Sequence, residues 1–228
     1  MNFKALFHKY KHILLLLYVP IYLITFNFIE SELVSWNDFY WISYMPIDDF
    51  IPFCEWFVIP YVLWYPFMLF TGIYLFFADA NAFRRYMWFI IIGFSTSLIF
   101  YVIFPNGQNL RPATFDERNI LTEIMAHIYK NDTNTNVCPS MHCIGSIAVF
   151  LAFLDCDKLR KRKWVVAATG VMTILICLST CFCKQHSFVD VIMAIVWCAA
   201  LYVLVYIFMK KRMENKLATA REYEKLSL

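Results

Sequence analysis

The feature that most constrains this chain is a series of apolar runs, each near the length needed to cross a lipid bilayer. A transmembrane helix needs about 20 mostly apolar residues, and 228 residues cannot bury several such runs inside one soluble domain. The chain is 61% hydrophobic, with a mean hydropathy of +0.57. We therefore predict an all-α polytopic membrane protein, a six-transmembrane-helix bundle forming one membrane domain. The predicted spans lie at about 13–29, 56–77, 87–104, 140–154, 164–183 and 187–209.

The distribution of Lys and Arg supports six spans and predicts their orientation. The fourth run is short and reaches full length only if its helix starts near Ser140. With six spans, segments 1–12, 78–86, 155–163 and 210–228 share one face and carry 16 of the 20 Lys and Arg residues. Such a bias marks the cytoplasmic face. We expect both termini, including the charged tail, to be cytoplasmic, and the opposite loops to be extracytoplasmic, or lumenal in a eukaryotic organelle.

The long polar segment 105–137, in the third loop, contains a predicted amphipathic helix. Its apolar side chains fall on one helical face: Ile120, Leu121, Ile124, Met125 and Ile128. We expect this interfacial helix to lie on the membrane, over or beside the candidate site.

Two polar residues near the start of the sixth span are the first candidates for function. His186 and Asp190 are four residues apart, so on a helix they share one face. The carboxylate can accept from one ring nitrogen and leave the other free. Asp190 lies about one turn inside the apolar run, where a carboxylate costs about 2.5–3.5 kcal/mol on insertion scales. Such a pair is either functional or, alternatively, a helix-start contact that only ties helices together.

Three polar motifs reach the same membrane face in this topology, although nearly eighty positions separate the first from the last. They are Arg111-Pro112, the segment 139–142 and the segment 184–190. The catalytic candidates are His186, His142 and Asp190. The substrate-binding candidates are Arg111, Ser140 and Lys184.

This set of residue types suits phosphoryl transfer. Arg111 can bind phosphate oxygens in a bidentate way, and Ser140 can cap its helix and donate to a phosphate there. His186 is positioned as a nucleophile whose tautomer Asp190 fixes. His142 can protonate the leaving oxygen and later activate the acceptor. No metal or cofactor is needed if the cations carry the charge.

Each residue also has a simpler interpretation. Arg111 suits a loop anchored to lipid headgroups, Ser140 an ordinary helix cap, and Lys184 a lysine that reaches the interface. The remaining three are of types that also bind metal ions: His142, His186 and Asp190.

The motifs resemble those of the type 2 phosphatidic acid phosphatase superfamily of membrane enzymes. The family pattern has three separate motifs. The first is a lysine followed after six residues by Arg-Pro, and the second is Pro-Ser-x-His. The third is Ser-Arg, then five residues, His, three residues and Asp. The residues kept at matching spacing are Arg111, Pro112, Pro139, Ser140, His142, Ser179, His186 and Asp190. The resemblance implies a six-helix bundle and a covalent phosphohistidine intermediate. It also implies that His186 is the nucleophile and His142 the general acid.

Two positions depart from the family pattern. Phe104 stands where the family has its lysine, and Thr180 where it has its arginine. Lys184 and a neutral hydrogen bond from Gln108 are candidate replacements. The chain is also similar to the branch containing inositol phosphorylceramide and sphingomyelin synthases. Their acceptor is a lipid alcohol, and a diester substrate needs fewer cations.

The sequence therefore predicts an integral membrane phosphatase that hydrolyses a lipid phosphomonoester or diphosphate at the extracytoplasmic face. The first alternative is a lipid phosphotransferase. The others are an intramembrane acyl hydrolase, for which the chain lacks a Gly-x-Ser-x-Gly elbow, and a non-catalytic transporter or scaffold. The expected partner is a membrane lipid, and no nucleic-acid partner is expected. The sequence contains no nucleotide-binding fingerprint. The oligomeric state stays open.

Overall fold

The computed structural model describes residues 10–33, 40–213, 215 and 219, and it is mostly helical. Most of the predicted tail, 210–228, therefore lies outside the described residues. Two short parallel strands pair, β1 (Trp41–Ile42) with β2 (Asn106–Gly107). The main helices are α1 (Lys11–Glu32), α2 (Glu55–Ala78), α3 (Ala80–Ile103), α4 (Ile120–Asn131), α5 (Met141–Asp155), α6 (Lys163–Phe182) and α7 (Phe188–Met213).

Five of these helices are long and apolar enough to cross a membrane: α1, α2, α3, α6 and α7. The prediction of a helical, membrane-embedded protein is thereby confirmed. Helix α5 has 15 residues, or about 22 Å at 1.5 Å per residue, whereas the hydrocarbon core of a bilayer is about 30 Å thick. The count of six spans stays a prediction.

Helix α3 begins earlier than the sequence pattern indicates. Its first residue is Ala80, although a loop was expected over 78–86. The Asp79 carboxylate caps this helix by accepting from two main-chain N–H groups of the first turn, both at 3.0 Å. Arg85 is buried and donates to Asp155, at the end of α5, at 2.5 Å. Since its charge is paired, Arg85 can be buried within the bundle as part of α3.

Helix α5 lies at the centre of the bundle and contacts α2, α3, α6 and α7. Small residues permit this close approach, as is usual between membrane helices. A Cβ added at Gly145 would lie 2.6 Å from Met68 Sδ and 2.8 Å from Trp64 Nε1. Glycine at this position therefore lets the first turns of α5 pack directly on α2, which places the motif at 139–142 in the interior.

Candidate active site

The predicted pair at the start of α7 is present. His186 Nδ1 lies 3.3 Å from Asp190 Oδ2, and Asp190 is fully buried. The same carboxylate accepts from the main-chain N–H of Ser187 at 2.9 Å and, through its other oxygen, from the hydroxyl of Ser43. Because these contacts hold the ring through Nδ1, the nitrogen of His186 left for chemistry is Nε2.

The loop that precedes α2 covers this end of α7, which the sequence did not indicate. Asp48 is buried and accepts from the main-chain N–H of Phe188 at 2.8 Å and from the hydroxyl of Ser187. The ammonium of Lys184 donates to the main-chain oxygen of Asp48 at 3.0 Å. Lys184 thus binds the loop that carries Ser43 and Asp48 and does not contact the histidines.

His142 lies in the first turn of α5, between two aromatic rings of α2. Its ring centre is 4.5 Å from that of Tyr61 and 4.4 Å from that of Trp64. The rings of His142 and His186 are 5.9 Å apart and meet edge to face. Nε2 of His142 is buried without a hydrogen-bond partner. The structure therefore brings both predicted histidines to one place.

Ser140 contacts the same helix end through its main chain. Its N–H donates to the main-chain oxygen of Asp190 at 3.2 Å, whereas its hydroxyl is buried and has no partner. The side chain makes no capping bond to α5, so the interpretation of Ser140 as an ordinary side-chain helix cap is not supported. An unpaired buried hydroxyl is instead available to a ligand.

Arg111 is held by the C-terminal end of α4. It donates to the main-chain oxygens of Tyr129, Asp132 and Thr133 at 3.2, 2.9 and 2.6 Å, and to Oε1 of Gln185 at 2.5 Å. Its guanidinium also lies over the Tyr129 ring, at 4.7 Å. Burial lowers the pKa of Arg111 and raises the pKa of the neighbouring Asp132 carboxyl. The positive charge of Arg111 acts against this rise in the pKa of Asp132. Of the three guanidinium nitrogens of Arg111, Nε alone is buried without a hydrogen-bond partner.

At the two positions where the family pattern has a lysine and an arginine, this chain has Phe104 and Thr180, and neither side chain carries a charge. Phe104 is exposed and packs against Trp41, with ring centres 5.8 Å apart. The hydroxyl of Thr180 donates to a carbonyl one turn back in α6. The amide of Gln108, a predicted replacement, donates to the main-chain oxygen of Lys184 at 3.1 Å and accepts from a nearby main-chain N–H. It is therefore occupied by structural contacts.

A cavity of about 910 Å³ leads to the histidines. Side chains of α1, α2 and α3 form most of its wall, and they are mainly apolar. Along α1 it extends from Ile13 to Phe26, about 20 Å at 1.5 Å per residue. His142, Gln185 and His186 lie at its polar end. The cavity is therefore long enough to hold the chain of an amphiphile whose polar head meets the histidines.

A metal site and an acyl hydrolase would each require a particular arrangement of the described side chains. Across the described ranges 10–33 and 40–213, no group of three His, Cys, Asp or Glu side chains is placed to hold a metal ion. The Ser140 hydroxyl, with no hydrogen-bond partner, also lacks the contact with a base that an acyl hydrolase needs.

The fold and the site together indicate a class of protein: a helical membrane protein with a site of two histidines and one aspartate. A family model described as the PAP2 superfamily matches residues 85–214. This range spans more than half of the chain and contains all six predicted site residues. The chain therefore belongs to the PAP2 superfamily, whose members are generally phosphatases or phosphotransferases. Comparisons with curated proteins and with solved structures found no match.

Asn106 fixes the segment that carries Ser140 and should be needed for stability. Its side-chain oxygen accepts from the main-chain N–H groups of Val137 and Cys138 at 2.9 and 2.7 Å, and the residue is fully buried. Replacing it with alanine leaves both donors unpaired, at about 1–3 kcal/mol each. We expect Asn106→Ala to lower the free energy of unfolding by about 2–5 kcal/mol, measured by thermal unfolding in detergent.

The matched control for this change is Asn109→Ala. Asn109 lies in the same loop, but its side chain is exposed, so its loss should stay within about 0.5 kcal/mol. Equal stability of the two variants would contradict the role assigned to Asn106.

Proposed function

We propose that this protein is an integral membrane phosphatase that hydrolyses a lipid phosphomonoester or diphosphate through a phosphohistidine intermediate on His186. The observation that carries the proposal is the end of the cavity lined by His142, His186 and Gln185, where Nε2 of His142 and Nε2 of Gln185 are buried without a hydrogen-bond partner. Unpaired buried polar atoms are rare in folded proteins unless an ordered water, an ion or a ligand pairs with them. A phosphoryl group has enough oxygens to pair with several of them.

The apolar wall of the cavity supports a lipid as the substrate. Its length of about 20 Å along α1 exceeds the half-thickness of a bilayer core, about 15 Å. A lipid chain can therefore lie between α1 and the rest of the bundle while its headgroup reaches the histidines.

The geometry supports a double displacement. Nε2 of His186 attacks phosphorus and the bond from phosphorus to the lipid oxygen breaks. His142, which takes up a proton from solvent when the anionic phosphate binds beside it, gives that proton to the lipid oxygen. Water then attacks the phosphohistidine, His142 takes up the proton of that water, and the bond between nitrogen and phosphorus breaks to release phosphate. A ring separation of 5.9 Å lets both rings reach one phosphoryl group.

Asp190 and the phosphate-binding groups complete the proposed roles. Asp190 holds the proton on Nδ1 of His186 and stabilises the charge that develops on the ring. We assign the hydroxyl of Ser140 and Nε of Arg111 as further donors to the phosphate, since both atoms are buried and have no hydrogen-bond partner. Lys184 contributes its charge at longer range, since its ammonium is bound to Asp48. No metal ion enters this mechanism.

The membrane topology is part of the proposal. We infer six spans, with α5 crossing in the centre of the bundle, α4 at the membrane surface and both termini in the cytoplasm. The concentration of Lys and Arg on one face supports this orientation. The site is then extracytoplasmic.

A lipid phosphotransferase is the second candidate function, and one observation favours it. The two family cation positions hold Phe104 and Thr180, and neither side chain donates to the site. A phosphodiester carries less charge than a phosphomonoester, so it needs fewer cations.

The two functions are separated by their products. Purified protein in detergent would be given short-chain phosphatidic acid, and in parallel a short-chain phosphodiester lipid with diacylglycerol as acceptor. We expect free phosphate from the first mixture, inhibited by orthovanadate. A headgroup-exchange product without free phosphate would identify the transferase and contradict the phosphatase. No product in either mixture would point to a scaffold or transporter that keeps the fold.

A further inference from the structure

We propose that the side-chain amide of Gln185 is a phosphoryl-oxygen donor of this site and that Arg111 orients it. This inference rests on the proposed function. Gln185 was not among the residues predicted from the sequence, and the family motif does not specify its position. What singles it out is an amide whose oxygen is paired and whose nitrogen is buried without a partner, on a residue that lines the cavity.

The orientation of the amide follows from its partner. A guanidinium can only donate hydrogen bonds, so the side-chain atom of Gln185 that faces Arg111 must be the oxygen. The two atoms, Arg111 Nη2 and Gln185 Oε1, are 2.5 Å apart. The amide nitrogen, Nε2, then points away from Arg111. Because three main-chain carbonyls hold Arg111 in place, this orientation is fixed before any ligand binds.

The free end of the amide lies where a ligand would need it. Gln185 is 3% exposed, lines the cavity together with His142 and His186, and has its Nε2 buried without a partner. The main-chain N–H groups of Gln185 and His186 both donate to the carbonyl of Thr180, at 3.0 and 3.1 Å. The donor and the proposed nucleophile therefore stand on one rigid turn.

The amide of Gln185 also compensates in part for the two cations that the family pattern has and this site lacks. Lys184 and Gln108, the replacements that the sequence suggested, are engaged in structural contacts. Gln185 offers a neutral hydrogen-bond donor next to the nucleophile, where preorganised donors stabilise developing negative charge. Its role is to bind an equatorial oxygen of the phosphoryl group during both displacements.

The decisive variant is Gln185→Glu. A carboxylate at this position still accepts from Arg111, so the structural contact persists, but it presents an acceptor where the ligand needs a donor. We would measure inhibition of phosphate release by orthovanadate, which mimics five-coordinate phosphorus, and the thermal shift that orthovanadate causes in the purified protein. We expect the vanadate inhibition constant to rise by about 100-fold and kcat/KM to fall by about 10²–10³-fold.

The matched control is Asn81→Asp at the far end of the bundle. The oxygen of Asn81 accepts from Arg84 at 2.9 Å, so this change also places a carboxylate beside an arginine, but outside the residues that line the cavity. We expect both vanadate readouts to match the wild type. Gln185→Met, which removes the amide without adding charge, should also weaken vanadate binding, and it replaces Gln185→Glu if that variant does not fold.

The outcomes separate this inference from the proposed function. If wild-type protein releases phosphate and Gln185→Glu keeps its vanadate affinity within about threefold, which is less than 1 kcal/mol, the donor role is wrong and the phosphatase stands. If wild-type protein shows neither phosphate release nor a vanadate shift, the site binds no phosphoryl group and both fail. A vanadate shift that is lost in Gln185→Glu supports the donor even if the turnover proves to be transfer.

Discussion

His186→Gln is expected to abolish lipid phosphate turnover, with kcat/KM falling by about 10⁴–10⁶-fold. Removing a nucleophile that acts within a catalytic unit typically costs this much. Glutamine keeps a polar side chain of similar reach but cannot form the intermediate. Phosphate release from short-chain phosphatidic acid measures the effect, and thermal unfolding checks that the variant is folded.

The matched control for this variant is His127→Gln. His127 lies on α4 with an exposed side chain that lines the cavity but is not one of the two facing histidines, so the same substitution there should leave kcat within about threefold, even where it changes KM. Turnover by His186→Gln close to that of His127→Gln would show that another group attacks phosphorus.

The second large effect is expected from Asp190→Asn. The carboxylate accepts from His186, from the main-chain N–H of Ser187 and from the hydroxyl of Ser43. An amide has one acceptor oxygen and an NH2 donor, so it cannot accept all three hydrogen bonds, it favours the tautomer of His186 with the proton on Nε2 when its NH2 group faces Nδ1, and it carries no charge to stabilise the ring. We expect kcat to fall by about 10⁴-fold, as when the equivalent carboxylate of a catalytic triad is changed, with KM little affected.

Asp48→Asn tests whether the loss at Asp190 comes from chemistry or from folding. Asp48 is also buried and also accepts hydrogen bonds at the start of α7, but it does not touch a histidine. We expect Asp48→Asn to lower the thermal stability, by about 1–3 kcal/mol, and to keep kcat within about tenfold. Equal losses of kcat in the two variants would contradict the role of Asp190.

The helical membrane class and the proximity of His142 and His186 could both be predicted from the sequence, and each has a physical reason. Spans of about 20 apolar residues are long-range signals, and alternation between two faces places the motif at 139–142 beside the start of α7. The spacing predicts the contact between His186 and Asp190 as that of two residues one helical turn apart. The contact forms, although His186 lies in the turn before α7.

The parts that the sequence did not predict depend on contacts between distant segments. Ser43 and Asp48 lie in an acidic, aromatic loop, where no periodic pattern separates a buried carboxylate from a solvated one. The orientation of Gln185 depends on Arg111, 74 positions away. The early start of α3 depends on Arg85 finding Asp155, a pairing 70 positions apart. One signal was available for α3, since an aspartate before a helical run is a common N-cap.

The most direct test of the central claim is the configuration at phosphorus. A short-chain lipid whose phosphoryl group is made chiral with three oxygen isotopes would be incubated with the purified protein and a simple alcohol as acceptor. Attack by His186 followed by attack of the acceptor inverts phosphorus twice, so we expect retention of configuration in the phosphorylated alcohol. Inversion would mean a single direct displacement, and it would contradict a phosphohistidine on His186 whichever acceptor the protein normally uses.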